Sequence, residues 1–249
     1  MDPFQKHNIE HLSASSINTF VAQPAYWALR YLLGHRDEGN EKMWRGTAVE
    51  AGLDQILFGK EDAALPAAIT TFERDAQGEV TDPIDKERNS LPAFLEQASA
   101  ALAGLDKPDS RQLKFEHRAE GIEAPIVGYT DYEWRDWGLD LKTTHRIPRQ
   151  SVPAYHARQM GLYAVAKKKP FKLLYASTKD NSMREFTKQE LENHYQALIS
   201  IAHGIRRVLC VSADPVEVSR MFYPDLESFY WKEESARAKA REIWEIPGD

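Results

Sequence analysis

Asp140 and Lys142, in the run Leu139-Asp140-Leu141-Lys142-Thr143, are the residues whose types and spacing best suit chemistry. Side chains alternate faces along an extended strand, so the run sets a carboxylate beside an ammonium and turns Leu139, Leu141 and Thr143 the other way. Upstream, Gly128-Tyr129-Thr130-Asp131 closes a second alternating stretch. A short turn around 135–138 folds the two stretches together and brings Asp131 beside Asp140. Two carboxylates and a lysine at one point suit phosphodiester hydrolysis. The acids are hard oxygen ligands for Mg²⁺ or Mn²⁺, and the lysine orients or helps deprotonate the attacking water and offsets developing charge. Taken alone, a D-x-K triplet is far more often an exposed hairpin with a surface ion pair.

The surrounding elements decide whether these groups have company. Apolar spacing over Met43–Phe58 predicts a helix that carries Glu50, a third acid, after Gly46, which permits close approach. A helix over Ser151–Ala166 aligns Tyr155, Gln159 and Tyr163 on one face, where an amide and a phenol can grip nucleic-acid backbone or base edges. A polar core helix with a buried tyrosine gives the same spacing. Arg146 and Arg149 flank Pro148 in the preceding loop and would line the path of a strand. Lys167, Lys168 and Lys169 follow the helix, where attraction to a helix C-terminus and contact with phosphates both favour cations. Tyr26, Trp27, Tyr31 and Trp44 suit base stacking or a core, and His145 and His156 read as bystanders.

Strands are expected at Lys114–Glu120, Pro125–Trp134, Trp137–Thr143 and Phe171–Ser177, with a short one at Arg184–Phe186. Helices are expected near Ile17, over Ala25–Leu33, Leu91–Leu105 and Lys188–Val208, and in the tail Leu226–Trp244. The expected architecture is one α/β (α+β) domain over 1–249. Its helical part spans about 12–110, its catalytic sheet core about 111–180 and its C-terminal helices about 188–245.

Composition narrows the classes. With 42% hydrophobic and 28% charged residues the chain reads as an ordinary globular protein without a membrane-length apolar run. The single cysteine, Cys210, excludes an internal disulfide and a cysteine-ligated iron-sulfur cluster, and a cytoplasmic setting is expected. The formal net charge of −6 argues at first against a polyanionic partner. Yet Leu141–Lys172 holds eight basic residues and no acid, so one cationic segment sits in an acidic body.

The order Leu12-Ser13-Ala14-Ser15-Ser16…Pro24, Gly46-x-x-x-Glu50, Gly128-x-x-Asp131, Asp140-x-Lys142-Thr143-Thr144, Gln159-x-x-x-Tyr163 resembles the RecB-type branch of the PD-(D/E)xK nuclease superfamily, without its iron-sulfur cluster. The resemblance implies a mixed central sheet flanked by helices, a restriction-endonuclease-like core with a helical elaboration. It implies metal ligation by Glu50, Asp131, Asp140 and the Leu141 carbonyl, catalysis by Lys142, and Gln159, Tyr163 and Thr143 toward substrate. Many relatives have histidine at the position of Glu50, so this site would be more acidic. The substrate implied is DNA, single-stranded or at duplex ends, and a single-strand-binding or recombination protein is a compatible partner. Structure-specific endonuclease and non-catalytic DNA-binding scaffold are the competing readings.

Overall fold

In the computed structural model, which describes residues 2–36 and 39–247, the three alternating stretches form β1 (Ser110–His117), β2 (Ile126–Glu133) and β3 (Gly138–Thr143). They pair antiparallel in sequence order, as short connections require. β4 (Phe171–Ala176) lies parallel to β3, and β5 (Asn181–Arg184) antiparallel to β4, completing a mixed sheet in the order β1-β2-β3-β4-β5. A parallel pair needs a crossover, which α7 (Ala154–Lys167) supplies; the other α-helices among the described residues are numbered around it in chain order.

Alternation along the central strands gives the sheet two apolar faces. Leu139, Leu141 and Leu174 pack with Val49, Leu53, Phe72 and Phe94 of α4 (Glu41–Leu57), α5 (Ala64–Asp75) and α6 (Asp82–Leu102). On the opposite face Leu173 and Tyr175 meet Ile17, Met160 and Leu198, which belong to α2 (Ala14–Ala22), α7 and α8 (Lys188–Leu209). Phe4 of α1 (Pro3–Lys6) joins this cluster. A third cluster unites Tyr26 of α3 (Pro24–Trp27) and Leu29 of a following π-helix (Ala28–Leu32) with the C-terminal segment. That segment contains α9 (Pro215–Ser219), a 3₁₀ turn (Phe229–Trp231) and α10 (Glu234–Trp244), and contributes Trp231 and Ile243.

The helix starts are local chemistry. Ser13 and Ser16 form a capping box before α2, Thr187 and Glu190 another before α8, and Asn40 accepts the Lys42 and Met43 amides at the start of α4. α7 and α8 cross at Gly161, where a Cβ would come within 2.6 Å of the Leu191 carbonyl and the Tyr195 amide. Only glycine permits that approach, which fixes the height of α7 over the sheet.

Four expectations need correction. α5 was not anticipated, and α6 begins at Asp82 rather than Leu91 because Pro83 sits in its first turn and Pro92 is accommodated inside it. The last strand is Asn181–Arg184, earlier than expected. The tail is a 3₁₀ turn and a helix rather than one continuous helix. Gly46 is not there for close approach, since a Cβ on it would meet only Thr143 Oγ1 at an ordinary 3.7 Å. Among the described residues no helix is long and apolar enough to cross a membrane.

Candidate active site

β2 and β3 pair only at Tyr132–Leu139 and Glu133–Gly138. Beyond that point the ladder stops, and the Asp131 carboxylate fills the gap by accepting the Leu141 amide at 2.7 Å. The amide and carbonyl of one strand residue point to the same edge, so the Leu141 carbonyl faces this opening too. Opposite Asp131 the β1–β2 register also skips a pair, where Gln112 takes a left-handed backbone at φ +47°. Irregularities of this kind re-aim side chains beside functional sites. Here Gln112 Nε2 donates to Glu50 Oε2 at 2.9 Å, drawing the α4 carboxylate to the same opening.

Asp140, 1% exposed, has two neighbours of opposite kinds. Its Oδ1 accepts from Gln159 Nε2 at 3.1 Å. Its Oδ2 touches Lys142 Nζ at 2.7 Å as an ion contact but has no aligned hydrogen-bond donor. Burial, and then Asp140 and Glu50, push the Asp131 carboxyl well above its ordinary range, against the pull of Lys142. Glu50 rises to about 7, first through burial and then through Asp140 and Asp54, with Lys142 opposing. Asp140 rises by burial, moderated by Lys142. Lys142 itself is raised: burial works against its charge, but Asp140 and Asp131 outweigh it. One ammonium therefore faces three buried or half-buried acids.

That donor set fits a hard divalent cation. It carries excess negative charge, an undirected carboxylate oxygen on Asp140, and one free oxygen on each of Asp131 and Glu50. The fit is unfinished, because among the described residues no three acid, histidine or cysteine side chains already stand as ligands of one ion. Asp131 and Glu50 are each turned partly toward a protein donor, and the mutual repulsion recorded above is what a cation would relieve.

The remaining expected residues divide. Gln159 reaches the site, but Tyr163 is buried between Phe115 and Phe171, where it accepts from Gln159 at 2.7 Å. Tyr163 therefore supports the site from behind and is not presented to a substrate. Thr143 is corrected as well: Arg45 engages its hydroxyl at 3.2 Å and its carbonyl at 3.0 Å. Lys167 and Lys169 do not form a phosphate track, because buried Glu133 takes both, at 2.8 and 2.7 Å. Lys168 is exposed at the left-handed end of α7, away from the acids. Arg146 and Arg149 are exposed on the loop after β3, with no ion pair among the described residues. Tyr26 and Trp27 are core residues. His145 binds Glu87 at 2.9 Å and His156 binds the Tyr175 hydroxyl at 2.7 Å; burial, and then Lys142, lower His156 to about 3.

Sequence reasoning missed Gln112, for which no pattern existed. It also missed Asp54, one turn beyond Glu50, which is raised by burial although Tyr132 and Arg111 bind it. The i, i+4 spacing from Glu50 was its only signal.

A candidate exonuclease from Eubacterium rectale, solved by crystallography, shares the fold at TM-score 0.57 and 15% identity, over 94% of this chain and 90% of that one. A second solved structure, SSO0001, is 14% identical over 71% of this chain and 84% of that chain, and its TM-score of 0.32 bears no weight. A search of curated proteins finds no significant match. The family profile of the PD-(D/E)XK nuclease superfamily matches residues 11–244, nearly the whole length, and the chain belongs to that superfamily.

Proposed function

We propose that this chain, read as one catalytic domain over 1–249, is a Mg²⁺- or Mn²⁺-dependent exonuclease acting on DNA ends or single strands in DNA processing, recombination or repair. The observation that carries this is the meeting of Glu50, Asp131, Asp140 and Lys142 at the opening between β2 and β3. Glu50, Asp131, Asp140 and the Leu141 carbonyl would hold the ion. Bound there, a divalent ion polarises a phosphoryl oxygen and makes a coordinated water nucleophilic. Gln159 holds Asp140 in place. Lys142, an ammonium beside Asp140, donates rather than accepts protons, so its part is to orient the water and offset charge on the phosphate. Arg146 and Arg149, exposed on the loop that follows β3, would contact the substrate backbone. Exonuclease action is favoured by the described nature of the E. rectale chain. The exposed, unpaired Cys210 fits the reducing cytoplasm.

End-labelled linear and circular DNA, incubated in Mg²⁺, Mn²⁺ or EDTA, tests the reading. Metal-dependent loss of linear substrate only is expected. Asp140→Asn and Lys142→Gln should each reduce the rate by at least about a hundredfold while leaving DNA binding in place. Near-normal turnover in either variant rejects the assignment, and binding without any metal-dependent product favours the scaffold reading.

A further inference from the structure

A cleft of about 410 Å³ leads from solvent to Lys142 and Gln159 between α2, α7 and the C-terminal 3₁₀ turn. Its volume is at the small end of ligand pockets and suits a single nucleotide. Two features of its walls stand apart from the metal-facing acids.

The first is Arg158, on α7 immediately before Gln159. Its Nε donates to Asn18 Oδ1 at 2.7 Å, and Asn18 Nδ2 donates in turn to the Tyr155 carbonyl at 3.0 Å, so the guanidinium is held in place across two helices. Lys142, Lys167, Lys169 and Lys172 of the same basic segment each meet a carboxylate. Arg158 meets none among the described residues, and with its Nε on Asn18 its remaining N–H donors are left for an anion. The second is the pair Tyr155 and Tyr230, 50% and 38% exposed at the cleft wall. Their ring contacts are tilted or edge-on, with His156 for Tyr155 and with Tyr26 and Phe229 for Tyr230. By contrast Trp134 and Trp137 lie stacked at 4.1 Å and 3°.

Resting on the nuclease reading above, we propose that this cleft is a single-strand subsite, in which Arg158 binds the phosphate of one unpaired DNA nucleotide and Tyr155 and Tyr230 stack its base. Asn18 is a positioning residue for Arg158. The subsite feeds the strand toward Lys142 and selects unpaired DNA because a base held in the stack of a duplex cannot reach the tyrosines.

Binding is measured in EDTA, so that no cleavage intervenes, with a short single-stranded oligodeoxynucleotide carrying one 2-aminopurine, and with a blunt duplex of the same sequence. Tyr155→Ala and Tyr230→Ala should each weaken single-strand binding about tenfold and lose the 2-aminopurine fluorescence change, while Tyr→Phe at either position restores both. Arg158→Met should reduce the slope of log affinity against log salt by about 0.7, the value for one phosphate contact on a single strand. Unchanged single-strand affinity in the double Tyr→Ala variant, or an equal loss on the duplex, overturns the proposal. Mg²⁺-dependent cleavage by the unaltered protein is followed in parallel. Cleavage with unaffected binding in the variants removes the subsite alone, whereas the expected binding pattern without any cleavage supports the subsite and removes the catalytic reading.

Discussion

Asp140 shows how one buried side chain is held between competing demands. Lys142 neutralises one oxygen without aligning on it, and Gln159 satisfies the other. Groups that orient a ligand tune metal affinity almost as strongly as the ligands do. Gln159→Leu is therefore expected to move the Mg²⁺ titration of cleavage to roughly tenfold higher concentration, with single-strand affinity in EDTA little changed. A Mg²⁺ midpoint equal to that of the unaltered protein would return Gln159 to a packing role. The i, i+4 spacing of Gln159 and Tyr163 announced a shared helix face but not what lay opposite it. Phe115, far away in the chain, and Phe171 at the start of the next strand enclose Tyr163, whereas Gln159, one turn nearer the helix start, meets Asp140.

Elements were most legible where the hydrophobic period was clean. The alternation of 126–143 gave the antiparallel strands and placed Asp131 next to Asp140, and the long helix expected over Lys188–Val208 is α8. Prolines hid α5 and the first half of α6, because a proline's meaning depends on whether its missing N–H falls in a first turn. Charge was misread for a related reason. Glu133, 4% exposed, binds Lys167, Lys169 and Thr130, and it stays below the usual glutamate range even though burial pushes it up. Lysines after a helix look the same in sequence whether they meet phosphate or a buried acid from another strand. The double variant Lys167→Met/Lys169→Met should consequently lose about 3 kcal/mol of stability, measured by urea unfolding, because Glu133 is left buried and charged. The salt dependence of its DNA binding should match that of the unaltered protein. A flattened slope with full stability would restore the lysines to a phosphate track.

At the scale of the whole molecule, the acids on β2 and β3 and the acid on α4 arrive through different layers, so something must lock the layers together. A buried cluster does this: Arg45, on α4 ahead of Glu50, binds Glu87 of α6 at 2.6 Å and Thr143 at the end of β3, and His145 binds Glu87 from the next loop. Arg45 and Glu87 are 3% and 4% exposed. Nothing in the sequence pairs residues 45 and 87, because their contact follows from the packing of α4 on α6. Burial pushes Glu87 up, but hydrogen bonds from Arg45 and His145 outweigh it and hold it below its ordinary 4.5. The sign follows from linkage. A carboxylate whose pKa is lower folded than unfolded adds stability that is complete above the unfolded value and disappears as pH falls through the folded one. Glu87→Gln should therefore be less stable than the unaltered protein at pH 7 by about 3 kcal/mol, since Arg45 is left buried without its counter-charge. The gap should narrow as pH falls from the ordinary 4.5 through the lower folded value, because Glu87 is then protonated in the unaltered protein and loses the same attraction. Urea unfolding of both proteins across that range decides the matter. Equal stability at pH 7, or a gap that stays constant into acid, would mean that the layers are held by their apolar contacts and that the Arg45–Glu87 pair contributes nothing to their alignment.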